Sequence, residues 1–101
     1  MELYQAEWCP YSHRVRERLT ELGLDFVARQ VPADPEDRAE LERAVGTNSI
    51  PVLVTDEGEP LRGDEEILRW LERFDERPDA KRHRAKARVD VPNFDEVRRR
   101  S

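Results

Sequence analysis

The sequence predicts one α/β domain in which a four-stranded mixed sheet is flanked by three helices, and three observations carry that expectation. First, Glu2-Leu3-Tyr4-Gln5 and Leu24-Asp25-Phe26-Val27-Ala28 are strand-length stretches that mix apolar and polar side chains. Between them Val15, Leu19 and Leu22 recur at the four-then-three spacing of one helix face. A strand, a helix of about a dozen residues and a second strand form a βαβ unit, whose two strands are expected to be parallel. Second, Ile50-Pro51-Val52-Leu53-Val54 is almost wholly apolar and runs into the turn Asp56-Glu57-Gly58-Glu59 and a short strand Pro60-Leu61-Arg62, which reads as an antiparallel hairpin. Third, Ile67, Leu68, Leu71 and Phe74 line one face of a helix that begins after Gly63-Asp64, with Trp70 at its flank.

The remaining elements follow in chain order. Pro10 suits the first position of the first helix, because its missing N–H is not needed there and its φ is preset. Cys9 then falls at the N-cap, and Gly23 closes the helix. Asp34 is the expected cap of a second helix with Pro35 at its first position, and Leu41, Ala44 and Val45 are its expected buried stripe. Gly46-Thr47-Asn48-Ser49 breaks that helix. Pro51 opens the third strand, where a sheet tolerates a proline. Asp64 is the expected cap of the third helix. The predicted order is β-α-β-α-β-β-α.

The expected boundary lies near residue 75. Residues 1–75 form the domain, with 9 Arg against 18 Asp or Glu, a net charge of −9. Residues 76–101 form a basic extension of net charge +4. A fourth helix over 79–89, thinly apolar through Ala80, Ala85, Ala87 and Val89, and a loose tail are both open readings. Val91, Phe94 and Val97 are candidates to pin the end of the chain. The basic runs Lys81-Arg82-His83-Arg84-Ala85-Lys86 and Arg98-Arg99-Arg100 lack interleaved aromatics. They read as a solvated face or as a contact with the acidic body, not as a nucleic-acid site.

With 41% charged and 37% hydrophobic residues, the core must be compact. No run of about 18 apolar residues exists and the start of the chain lacks a basic-then-apolar signal, so the expected location is cytoplasmic, with no membrane partner. A single cysteine rules out an internal disulfide and a multi-cysteine zinc site, and no metal is expected.

Chemistry concentrates at Cys9-Pro10-Tyr11-Ser12. At a helix N-cap the sulfur faces the unpaired N–H groups of the first turn, notably that of Ser12, and the positive end of the helix dipole. Both favour the thiolate, the nucleophilic form. The plain alternative is a small buried hydrophobe, the usual fate of a free cysteine. Ser12 either bonds the helix backbone or donates to the Cys9 sulfur. Trp8 reads as a half-exposed packing residue. His13 reads as a surface residue, since no orienting third group marks it as a base.

This element order, with Cys9-Pro10-Tyr11-Ser12 at the first helix and Ser49-Ile50-Pro51 before the third strand, resembles the glutaredoxin branch of the thioredoxin fold. The stretches from Cys9 to Arg16 and from Leu61 to Leu71 also resemble the N-terminal domain of glutathione transferases. The resemblance covers residues 1–75. It implies a monothiol glutaredoxin-like oxidoreductase that uses glutathione, or a related low-molecular-weight thiol, as co-substrate and acts as a monomer on glutathionylated or oxidised proteins.

By this resemblance Cys9 is the nucleophile and Ile50-Pro51 a cis bond that presents the Ile50 backbone to the cysteinyl part of glutathione. Asp64 and Glu65 then grip the γ-glutamyl end, and Tyr11 flanks the bound thiol. Two departures stand out. Ser12 replaces the second cysteine of dithiol members, leaving only a one-cysteine route. Ala6, followed by Glu7, stands where many members place a lysine; a nearby carboxylate disfavours a thiolate, and Arg14, Arg43 or Arg62 are the candidates to compensate. The alternative functions are an iron–sulfur cluster carrier, with one cysteine and one glutathione from each of two copies, and a non-catalytic thiol- or protein-binding module derived from a transferase domain.

Overall fold

In a computed structural model that describes residues 1–89, the chain folds as β1 (Glu2–Gln5), α1 (Pro10–Leu22), β2 (Val27–Gln30), a 3-10 turn (Pro35–Asp37), α2 (Ala39–Val45), β3 (Val52–Val54), β4 (Pro60–Arg62), α3 (Asp64–Leu71) and α4 (Ala80–Val89). The sheet has the order β2-β1-β3-β4, with β1 parallel to β2 and antiparallel to β3, and β3 antiparallel to β4. This is the thioredoxin-like arrangement that the element order predicts.

The alternation of side chains along a strand divides the core in two. Leu3, Leu53 and Leu61 lie opposite one another in register and point to the face covered by α1 and α3. There they join Val15, Leu19, Leu22, Ile67 and Leu71. Val52, of the other parity, packs with Leu41 and Val45 of α2, and Tyr4, Val31, Ile50 and Val54 are partly buried against them.

Several boundaries differ from the sequence reading. The second strand begins at Val27, not Leu24, because the chain is still closing α1: Gly23, at φ 67°, and Leu24 donate their N–H groups to the Thr20 and Leu19 carbonyls. Leu24 and Phe26 pack on the core before the strand starts, and β2 itself is exposed on both faces. The second helix is split. Asp34 opens only the 3-10 turn, without a side-chain cap, and α2 starts at Ala39. At the break stands Arg38, whose guanidinium turns inward and donates to the carbonyls of Pro32 (2.8 Å), Ala33 (3.0 Å) and Asn48 (3.0 Å). Ala44, expected in the buried stripe, is exposed. Gly63, at φ 88°, is the N-cap of α3, which makes Asp64 its first residue instead of its cap.

A fourth helix is present, so four helices rather than three accompany the sheet. It runs back along α1: Arg77 N–H donates to the Glu21 carbonyl at 3.0 Å, Ala80 is buried, and His83 and Ala87 face α1 across a cavity of about 260 Å³ that Glu7 and Thr20 also line. The joint is ionic. The buried Glu21 carboxylate accepts from Arg84 (3.1 and 3.2 Å) and Arg18 (2.7 Å), and both arginines also reach Glu76 (2.7 and 2.5 Å). Burial pushes the Glu21 carboxyl up, but the bonds from Arg84 and Arg18 outweigh it and hold it below the usual carboxylate value. The basic extension therefore meets the acidic body at one defined place. Val91, Phe94 and Val97 lie outside the described residues.

Candidate functional site

The sheet places three short segments at one end. Tyr4 lies opposite Val52, and Val52 opposite Arg62. The chain leaving β1 toward Cys9, the chain entering β3 through Pro51 and the chain leaving β4 toward Gly63 and Asp64 therefore all emerge on the same side. Gly63 N–H donates to the Pro51 carbonyl at 2.9 Å, which ties two of the three together.

At the first segment Cys9 is the N-cap of α1 (φ −79°, ψ 117°), and its Sγ accepts the Ser12 N–H at 3.4 Å. Cys9 N–H in turn donates to the Ala6 carbonyl at 3.1 Å, which fixes the loop before the helix. The residue is only 6% exposed, yet Trp8 (64%) and Tyr11 (58%) beside it are the most exposed large hydrophobic side chains among the described residues. Ser12 is fully buried, and its Oγ has no hydrogen-bond partner among the described residues. Its hydroxyl therefore adopts neither expected bond, to the helix backbone or to the sulfur; the backbone N–H of Ser12 is what meets Sγ.

At the second segment the Ile50–Pro51 peptide bond is cis, with Pro51 buried and Ile50 partly so. Arg38, which the sequence did not single out, braces this approach through Asn48. Its residue is 4% exposed and its three acceptors are main-chain carbonyls from the loops before α2 and before β3.

At the third segment the acidic residues that open α3 diverge. Asp64 Oδ2 accepts from Arg14 Nη1 at 2.9 Å, and its side chain is 17% exposed. Glu66 Oε2 accepts the Arg62 N–H at 2.9 Å, while Glu65 is exposed. Of the arginines considered as substitutes for the missing lysine, Arg14 is thus committed to Asp64 and Arg62 donates through Nε to the Val45 carbonyl at 2.7 Å. The guanidinium that does reach Ala6 belongs to Arg16. It bonds the Ala6 carbonyl (3.4 Å), which also holds Cys9 N–H, as well as the Gln5 side chain, and it pairs with Glu7 at 3.5 Å. Arg16 stands seven residues after Cys9, about two turns on the same face, so its reach to the loop was legible in the spacing. His13 is exposed and faces Glu17 at 3.7 Å, as a surface residue would.

Among the described residues no group of three or more His, Cys, Asp or Glu side chains is placed to hold a metal ion, and no helix is long and apolar enough to cross a membrane.

Fold and site together define a thioredoxin-fold protein with one cysteine at the head of its first helix. The family model described as "Glutathione S-transferase, N-terminal domain" matches residues 8–73, and the chain belongs to that family. A glutaredoxin of Pseudomonas aeruginosa is 37% identical over 51 residues, which is 50% of this chain and 61% of that protein. The chain thus spans about 60% of the length of the curated relatives it matches first. Among solved structures, a rice glutathione S-transferase in complex with glutathione superposes with a TM-score of 0.64 at 28% identity, over 93% of this chain and 48% of that one. Glutaredoxin 2 of Salmonella typhimurium, also in complex with glutathione, superposes at 0.63 over 70% of this chain and 32% of that one; at 21% identity it speaks for the fold alone. A glutathione-related family is therefore established for residues 8–73, and α4 lies outside the matched segment.

Proposed function

We propose that the protein is a monothiol thiol–disulfide oxidoreductase that reduces mixed disulfides between proteins and glutathione, acting as a monomer in the cytoplasm. The observation that supports this most is the placement of the chain's single cysteine at the N-cap of α1, with the Ser12 N–H on its sulfur, at the sheet end that also holds the cis Ile50–Pro51 bond.

On this reading the Cys9 thiolate attacks the glutathione sulfur of the mixed disulfide. A new S–S bond forms, the old one breaks, and the protein thiolate leaves and takes a proton. A second glutathione thiolate then attacks the glutathione sulfur of the Cys9 adduct, which releases Cys9 as thiolate together with glutathione disulfide. The N–H of Ser12 and the α1 dipole stabilise Cys9 each time it departs as a thiolate. The Ile50 backbone pairs with the cysteinyl part of glutathione, Tyr11 borders the exchanging sulfurs, and Asp64 and Glu65 receive the γ-glutamyl ammonium.

Reduction of a glutathionylated protein, coupled to consumption of glutathione, tests the proposal. Cys9→Ser is expected to abolish turnover, and undiminished turnover in that variant would refute the assignment. The covering of Cys9 to 6% favours one rival, a module that binds thiols without turnover. It predicts that the wild-type protein itself is inactive in the same assay while still retaining glutathione.

A further inference from the structure

The helix α4 carries no acidic side chain, in a chain whose first 75 residues hold 18 acids against 9 arginines. Its two sides differ. Ala80 is buried, Arg84 bonds Glu21 and Glu76, and His83 and Ala87 line the cavity against α1. On the opposite side Lys81, Ala85 and Arg88 form a row at four-then-three spacing, with Arg82 beside it, and all four are exposed. Among the described residues the side chains of Lys81, Arg82 and Arg88 pair with no carboxylate. Glu76 and Asp79, which precede the helix, are engaged elsewhere: Glu76 by Arg18 and Arg84, Asp79 by Arg77 (3.5 Å) and His83 (3.2 Å). Three unpaired cations on one helix face make a local positive field on an otherwise negative molecule.

We propose that this outward face of α4 is a docking surface for an Asp/Glu-rich segment of a partner protein, whose carboxylates pair with Lys81, Arg82 and Arg88. Charge complementarity selects that occupant over a larger polyanion. A bilayer or a nucleic acid faces the whole molecule and is repelled by the body, whose net charge is −9. The row also offers no aromatic or large apolar side chain to enter lipid or stack on bases. A short segment lying along the helix, about 15 Å for its ten residues, touches the cations alone. Salt screens it from the more distant acids, since the Debye length is about 8 Å at physiological ionic strength. The far end of α4 lies beside the thiol loop, because Ala87 shares its cavity with Glu7 and His13. A docked segment therefore brings its protein to the Cys9 end of the sheet, which names a substrate class: mixed disulfides with an acidic stretch nearby. That substrate step rests on the function proposed above; the docking does not.

The experiment titrates a short fluorescent peptide of alternating Glu and Gly, and its Gln counterpart, with the full chain at low and at physiological salt, read by anisotropy. The Glu peptide is expected to bind, less tightly as salt rises, and the Gln peptide not to. Lys81→Glu/Arg82→Glu is expected to weaken binding about tenfold, as reversal of two exposed pairs implies, while Lys81→Arg/Arg82→Lys retains it. Arg43→Glu/Arg69→Glu makes the same change in net charge at exposed positions of the body and is expected to weaken binding far less. Four results overturn the proposal: no binding by the folded wild-type protein, equal loss in the two charge-reversed pairs, tighter binding of a DNA strand or of phosphatidylserine vesicles than of the peptide, or self-association that Lys81→Glu/Arg82→Glu removes. The substrate step is read with the peptide carrying a glutathionylated cysteine. Lys81→Glu/Arg82→Glu is expected to lower kcat/KM for it about tenfold and to leave the small mixed disulfide of glutathione and 2-mercaptoethanol unaffected. Equal kcat/KM in both proteins overturns that step. Binding without turnover of either disulfide would mean that the glutathione reading has failed while the docking surface stands.

Discussion

Arg14 occupies Asp64 where the proposed function places a ligand's ammonium. The pair joins α1, which carries the thiol, to α3, which would hold the far end of glutathione, and the arginine is largely exposed while Asp64 is not. Arg14→Gln removes a competitor for the carboxylate. An exposed pair is worth about 0.2–1 kcal/mol, so KM for a glutathione mixed disulfide is expected to fall up to about fivefold. Steady-state kinetics at fixed ionic strength checks this, and a rise in KM would show that the arginine recruits the ligand instead. Arg38 is the opposite kind of residue, buried and structural. Arg38→Met strands three main-chain carbonyls at once and is expected to cost about 3 kcal/mol or more, measurable by urea denaturation, with Arg38→Lys recovering part of it. Cys9 at a helix start was legible because a proline at the first helical position is a local signal; the cis bond at Pro51 was expected only from the family resemblance, and Asp64, expected as the cap of the third helix, is its first residue after Gly63. Arg38 was not legible, since its three acceptors come from residues 32, 33 and 48 and only the folded backbone brings those together.

Among the elements, α1 serves two masters: its first turn sets Cys9, and its last turn anchors α4 through Glu21. Because Arg84 and Arg18 hold the Glu21 carboxyl below its ordinary value against the opposing effect of burial, the folded state binds that proton less readily than the unfolded chain. The stabilisation is fully present above the ordinary carboxylate value and is lost as pH falls through the lower folded-state value. Docking of α4 is therefore expected to weaken below about pH 4.5. Glu21→Gln should remove that acid-sensitive component and destabilise α4 at neutral pH, because Arg84 and Arg18 then keep Glu76 as the one carboxylate they share. Hydrogen exchange over residues 80–89, followed against pH in both proteins, checks the expectation. The thin apolar side of α4 left docking open at the level of sequence, because the decisive partner is a glutamate at the end of a helix some sixty positions earlier. The start of β2 was misplaced for a related reason: Leu24 and Phe26 alternate as a strand would, but the bonds that close α1 had already used the chain there.

For the whole molecule, the strand order decides which residues become neighbours. One parity of β1, β3 and β4 feeds the core under α1 and α3, and the chain leaving β1 toward Cys9, the chain entering β3 and the chain leaving β4 emerge at one end of the sheet. Leu53 sits at the centre of that core, wholly buried. Leu53→Ala is expected to cost about 3 kcal/mol in thermal or urea unfolding, and to loosen the approach to Pro51 with it. The architecture was readable from hydrophobic periodicity because that pattern repeats over every element; the meeting of ion pairs at the α1–α4 joint was not, since charge in this sequence is too plentiful to point anywhere.

The outer strand β2 exposes Val27 to 52% and, among the described residues, pairs with no strand on its free edge, while its one charged side chain, Arg29, is folded onto Glu2 of the adjoining strand. A rim with idle amides and no outward charge invites stacking of one sheet on the next. At concentrations well above those at which it acts as a monomer, the protein should therefore self-associate edge to edge, and Val27→Lys should keep it dispersed in light scattering.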